Sequence, residues 1–174
     1  MEIRPSRPSD DAAILTVVGT AFSDPTRDAG EELDIVRRTW AARPDRTVLE
    51  LVADDGGDVV AHLQAAPGRV DGIESAVAGV APVCVAPAAQ GHGVGSALMR
   101  ALLGAGRDAG WPLLVLLGNP AYYSRFGFEP AQRHGLHYAP VGTDNPHFQA
   151  RPLHDVTGAD ATRWRGAFSY CWEP

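Results

Sequence analysis

The sequence predicts an α/β (α+β) fold built on a central mixed sheet, mostly antiparallel. Two observations predict it. Two turn signals, Asp54-Asp55-Gly56-Gly57 and Asp71-Gly72, separate β-rich runs in the manner of an antiparallel meander. The third run, Ser75 to Val85, is followed by a helical stripe and then by the apolar Pro112 to Leu117, an order that makes two strands parallel. With 45% hydrophobic residues among 174, the chain is long enough for one well-buried core and short for two, so a single domain over 1–174 is expected.

Each element follows from local pattern. Met1 to Pro5 alternates as a first strand, and Ser9-Asp10-Asp11 offers a cap for a helix over Ala12–Phe22. A polar connection, Asp24 to Asp28, leads to a second helix, Gly30–Ala42, with Leu33, Val36 and Trp40 on one face. Its start carries Glu31, Glu32 and Asp34, where the helix dipole favours negative charge. Thr47–Ala53 and Asp58–Ala65 are the first two strands of the meander. Gly93–Ala109 is helical by the stripe Val94, Leu98, Ala101, Leu102, Ala105, despite Gly104 and Gly106, and Gly110 ends it. Pro112–Leu117 reads as a strand buried on both faces, and Pro120–Phe126 as a short helix with proline in its first turn. From Gly127 to Asp144 periodicity is poor, and Phe168–Trp172 again reads as a strand.

Composition excludes several functions. The net charge is −6 and all fifteen basic residues are arginine, which argues against binding a nucleic-acid backbone. Without lysine there is no Walker loop. Cys84 and Cys171 have neither metal-type spacing nor a disulfide framework, so reduced thiols and no metal are expected. The polar start MEIRPSRPSD lacks the apolar core of a signal peptide, and no run of about 18 apolar residues occurs. A soluble, cytoplasmic protein with no membrane partner is the expectation.

The chemistry concentrates in VCVAPAAQGHGVGSALM, Val83 to Met99. A strand feeding a glycine-rich turn and then a helix gathers unpaired backbone N–H groups at the positive end of a dipole, a setting that attracts phosphate. A dinucleotide fingerprint does not fit, because the third glycine position falls on Ser96 or Leu98. Gln-x-x-Gly-x-Gly does fit, on Gln90, Gly93 and Gly95. In this the sequence resembles the GNAT superfamily of acyl-CoA-dependent N-acyltransferases. The later run GWPLLVLLGNPAYYSRFGFEPA is similar to a bacterial branch in which an apolar strand ends in Gly-Asp/Asn-Pro-x-Tyr-Tyr and the helix closes in Phe-Gly-Phe.

The resemblance implies acetyl-CoA as cosubstrate and transfer of its acetyl group to a primary amine. It implies that Val83, Cys84 and Val85 present backbone to the pantetheine arm, and that Gln90, Gly91, His92, Gly93, Val94, Gly95 and Ser96 hold the pyrophosphate. It also implies that the strands at 80–85 and 112–117 diverge to admit the thioester. Tyr123 matches the general acid that protonates the departing thiolate, while Tyr122 points about 100° away and is the fallback donor. Asn119 is either a pantetheine ligand or the cap of the following helix. Arg100 and Arg125 meet the adenosine 3′-phosphate or are simply solvated. Cys84, in an apolar run, is expected to be inert.

The acceptor region implied is Asp24–Glu32 with His134–Asp144; the acceptor is a small molecule or a peptide amine, lysine-directed protein acetylation included. No general base stands out. A non-catalytic acyl-CoA sensor remains the alternative, and a second copy of the chain remains open as a partner.

Overall fold

The computed structural model describes residues 1–26, 28–42, 48–154 and 164–173. Its elements in order are β1 (Glu2–Pro5), α1 (Asp11–Phe22), α2 (Gly30–Ala42), β2 (Leu49–Asp55), β3 (Asp58–Val70), β4 (Ile73–Val85), α3 (Val94–Asp108), β5 (Leu113–Leu117), α4 (Pro120–Tyr123), β6 (Glu129–Pro130), β7 (Leu136–His137), β8 (Phe148–Pro152) and β9 (Gly166–Ser169). The sheet runs β1-β2-β3-β4-β5-β8-β6, with β9 on β3 and β7 on β9. Pairing is antiparallel for β1–β2, β2–β3, β5–β8 and β6–β8, and parallel for β4–β5, so the mixed, mostly antiparallel sheet is the one expected. A short parallel pair, β7 with β9, was not foreseen. Among the described residues no helix is long and apolar enough to cross a membrane.

The chain forms two compact units. The first comprises Met1–Ala65 and Ala81–Gly104, the second Ala66–Val80 and Ala105–Pro174. In the first, Ile14, Val17 and Val18 of α1, Val36 of α2, Val52 of β2 and Cys84 of β4 make one buried cluster. Burying such side chains contributes about 1.5–3 kcal/mol each. In the second, Val77, Leu113, Val115, Phe148, Phe168 and Tyr170 belong to one cluster. Here β4 and β5 pair in parallel over Ala78↔Leu114 and Gly79↔Val115.

Four expectations need correction. Asp10 does not cap α1: its carboxylate instead accepts hydrogen bonds from Arg4 at 2.7 and 3.1 Å and from the Arg7 backbone. The strong bidentate ion pair outcompetes the cap. The first hairpin turn is tighter than expected, with Asp54 and Asp55 inside β2 and both Gly56 and Gly57 at positive φ; the expected start of that strand, Thr47, lies outside the described residues. The last strand is Gly166–Ser169 rather than Phe168–Trp172, because Tyr170 turns into the second core and its backbone N–H bonds the Glu173 carboxylate. The sequence reading has no strand at β8: Phe-Gln-Ala-Arg-Pro alternates apolar with polar, but over only five residues and ending in proline, which demotes a strand signal.

Candidate active site

The turn between β4 and α3 is built as an anion cradle. A 3-10 turn over Pro87–Ala89 lifts the chain off β4, and the Gln90 amide donates back to the Val85 carbonyl at 3.0 Å, fixing the loop to the strand end. Gly91 and Gly93 then adopt φ of 78° and 82°, and a Cβ at either would meet nothing within 4 Å. Glycine is required there by backbone conformation and not by crowding. The first intrahelical bond of α3 runs from Ala97 to the Gly93 carbonyl, so the N–H groups of Val94, Gly95 and Ser96 precede the ladder. Gly95 needs no special φ, and its missing side chain leaves that first turn bare. His92 is exposed between the two left-handed glycines. On β4, Cys84 is buried while Val83 and Val85 are half-buried, and burial pushes the Cys84 thiol up to about 12, which makes it a poor nucleophile.

In the second unit β5 carries four buried residues, Leu113 to Leu116, and ends at Gly118-Asn119. Asn119 caps α4: its Oδ1 accepts from the Ala121 N–H at 3.0 Å, and its carbonyl accepts from Tyr122 and Tyr123. Pro120 supplies the first helical position. Tyr123 lies edge-on to Tyr122 at 4.9 Å and to Phe128 at 6.0 Å. Burial, with a smaller contribution from Tyr122, raises its phenol to about 12, so it stays protonated across the physiological range. Arg125 stacks over the Tyr122 ring at 4.8 Å, which occupies both side chains.

Sequence reasoning missed a buried polar group in the first unit. Glu50, His62 and Gln64 sit inward on β2 and β3, with His62 and Gln64 wholly buried. The Glu50 carboxylate accepts from Trp40 Nε1 at 2.7 Å and Ser6 Oγ at 2.5 Å, and lies 3.0 Å from His62 Nε2. Burial alone would raise the Glu50 pKa, but these hydrogen bonds outweigh it and hold the group below the usual carboxylate range. The signal was present: in Leu-Glu-Leu and Ala-His-Leu-Gln-Ala, polar residues take alternate, inward positions of strands whose other face is also apolar. Among the described residues no cluster of three metal-ligating side chains occurs.

A family model described as an acetyltransferase (GNAT) domain matches residues 2–131. The chain belongs to the GNAT acetyltransferases. Uncharacterized N-acetyltransferase YhbS of Escherichia coli K12 is 38% identical to this GNAT chain over 108 residues, 62% of this chain and 64% of that protein. The match thus spans about 64% of that relative's length. Uncharacterized N-acetyltransferase YjhQ from the same organism is 29% identical over 134 residues, 76% of this chain and 74% of its own. The crystal structure of Escherichia coli YhbS with CoA superposes with a TM-score of 0.81 at 29% identity, covering 97% of this chain and 88% of that one. A GNAT family acetyltransferase from Brucella melitensis, crystallised with acetyl-CoA, gives 0.76 at 32% identity over 97% of this chain and 94% of its own. These likenesses extend the GNAT fold over nearly the whole of the described chain.

Proposed function

We propose that this GNAT chain moves the acetyl group of acetyl-CoA directly onto a primary amine within a ternary complex. One observation carries the reading: the Gln90–Ser96 turn, with two left-handed glycines and the unladdered first turn of α3, offers main-chain donors where a pyrophosphate needs them. That two relatives were crystallised with CoA and acetyl-CoA supports the choice of ligand. In this reading Gln90, Gly91, His92, Gly93, Val94, Gly95 and Ser96 hold the pyrophosphate. Val83, Cys84 and Val85 hydrogen-bond the pantetheine as an added strand would, and the amide near Val85 polarises the thioester carbonyl. The Asn119 amide nitrogen, not used in capping, is assigned to the pantetheine.

Tyr123 is assigned the proton for the leaving thiolate. A phenol raised to about 12 gives its proton uphill to a thiolate whose thiol pKa is about 8.5, so donation must keep step with loss of a proton from the new amide nitrogen. Two buried free cysteines, Cys84 and Cys171, support a reducing compartment, and we place the activity in the cytoplasm. The acceptor is a small molecule or a peptide amine.

The test is calorimetry with CoA and acetyl-CoA, followed by thiol release over a panel of primary amines. Binding together with amine-dependent release is expected. Heat without release on any amine identifies a sensor, and no heat on folded protein ends the acyl-CoA reading.

A further inference from the structure

Direct transfer requires the acceptor to lose a proton before attack, because an ammonium has no lone pair. We propose that His62, oriented by Glu50, accepts that proton through water held on the buried polar face it shares with Thr39 and Gln64. This rests on the acetyl-transfer reading and adds its missing base.

Three donors converge on one carboxylate: Trp40 Nε1–H, Ser6 Oγ–H and the imidazole at Nε2, 3.0 Å from Glu50 Oε1. An ionised carboxylate only accepts, so Nε2 carries a ring hydrogen, and in the neutral ring the lone pair falls on Nδ1. His62 Nδ1 is buried and has no hydrogen-bond partner. A carboxylate on one ring nitrogen with the other nitrogen open is the relation that orienter and base have in acyl-transfer enzymes.

The same face holds further open polar atoms. Gln64 is the register partner of Glu50, and His62 that of Val52, so their side chains share one face of the sheet. Both ends of the Gln64 amide and the Thr39 hydroxyl are buried without a partner. Each such group costs about 1–3 kcal/mol if left dry, so several on one face mark a place that water or a polar ligand fills. Val36 of α2 packs in one cluster with Val52 and Cys84, and Thr39 lies on the same buried stripe of α2 one turn further on. The Ala86 N–H to Val60 carbonyl bond sets β3 against β4 so that His62 stands across from Cys84, whose sulfur meets the His62 backbone amide. His62 is thereby next to Val83–Val85, the segment proposed to carry the thioester.

The groups around His62 are Glu50 from β2, Cys84 from β4, whose sulfur meets the His62 backbone amide, and Gln64 along β3, while Trp40 of α2 and Ser6 reach it through Glu50. The neighbouring α1 contributes Ile14, Val17 and Val18, none of which titrates. Protons balance as follows. The ammonium gives one proton through water to His62 Nδ1, and the free amine forms the C–N bond as C–S breaks. The second nitrogen proton replaces the one Tyr123 gives the thiolate, and His62 discharges to solvent.

The test uses the full chain and an amine that the wild type acetylates. For His62→Gln, kcat/KM is expected to fall by about a hundredfold or more, with the acetyl-CoA heat unchanged. The acid limb of its pH profile should vanish, while the substrate amine's own limb stays in every variant. Glu50→Gln should lower kcat with little change in KM for the amine, because the carboxylate that orients the imidazole is lost while the acceptor still binds. Should either variant fail to fold, histidine ¹⁵N spectra of the wild type decide: an Nε2–H tautomer with bare Nδ1 is expected, and an Nδ1–H tautomer overturns the assignment. A wild-type profile in folded His62→Gln also overturns it while leaving acetyl transfer intact. If the wild type binds acetyl-CoA yet acetylates nothing, both readings fall together.

Discussion

A Cβ placed on Gly118 would stand 2.3 Å from Cε2 of Tyr123, so the ring of the proposed proton donor fills the space that this glycine leaves beside β5. The relation makes Gly118 a positioning residue. Gly118→Ala must push the phenol out of its place, while the cradle at Gln90–Ser96 is untouched. Turnover is expected to fall roughly tenfold to a hundredfold, as for an ångström-scale misplacement of a reacting group. Acetyl-CoA calorimetry should not change; a loss of binding equal to the loss of rate would put Gly118 in a different role.

Tyr123→Phe removes one oxygen and keeps the edge-on ring contacts with Tyr122 and Phe128. A drop in kcat of about a hundredfold or more is expected, with unchanged affinity for acetyl-CoA. Because burial holds the phenol at about 12, the wild type should show no alkaline decline from Tyr123 until pH approaches that value. Thiol release at the wild-type rate would remove Tyr123 from the reaction.

How much of this was legible in the sequence differs from place to place, for physical reasons. The bounds of α2, the β4–turn–α3 passage and the buried β5 were readable because short-range periodicity and glycine placement decide them. β8 exists because β5 offers it a five-residue ladder, Leu113↔Pro152 to Leu117↔Phe148, a long-range fact that five mixed residues do not announce. Asp10 read as a cap because no local pattern shows Arg4 arriving from β1 to claim it. The Glu50–His62 pair likewise comes from register between β2 and β3, so two polar residues 12 apart in sequence become neighbours only in the sheet. Asn119 had two readings, and the capping bond to Ala121 is the one visible in the protein alone.

The glycines of the cradle make a prediction that separates conformation from crowding. Gly91 and Gly93 sit at φ 78° and 82° with open space around them, so alanine fits sterically but strains the backbone by about 1–2 kcal/mol. Gly93→Ala is expected to weaken CoA binding about tenfold or more, since the strained turn relaxes by rotating its N–H groups away, a loss of about 1.4 kcal/mol per factor of ten. Gly93→Asn, which tolerates positive φ, should retain more affinity than alanine. Equal affinity in wild type and Gly93→Ala would mean that these amides do not hold the diphosphate.

Cys84 gives a direct probe of whether the core around it opens. A thiol that burial raises to about 12 carries almost no thiolate at neutral pH, so alkylating reagents should reach Cys84 only on unfolding. Peptide mapping after labelling, with and without denaturant, checks this, and rapid labelling of Cys84 in the folded protein would contradict it.

One part of the acid sensitivity of the fold should come from the ion-pair hub at Arg4. Arg4 donates to Asp10 at 2.7 and 3.1 Å and to Asp54 at 2.8 and 3.0 Å. The Arg4 hydrogen bonds hold Asp10 below the usual carboxylate range; for Asp54 the Gly57 backbone N–H acts first and Arg4 second. Both carboxyls are depressed in the folded state, so their contribution is complete above the unfolded value, about 3.9, and is lost as pH falls through the lower folded values. The thermal midpoint should therefore be insensitive to these groups above about pH 5 and decline steeply below about pH 4. Arg4→Met leaves two carboxylates facing one another without their cation, and it should lower the midpoint at neutral pH while flattening the decline in acid, because Asp10 and Asp54 then titrate nearer their unfolded values. Calorimetric scans of both proteins from pH 3 to 8 measure it, and parallel curves for wild type and variant would show that Arg4 is not what holds the two carboxyls down.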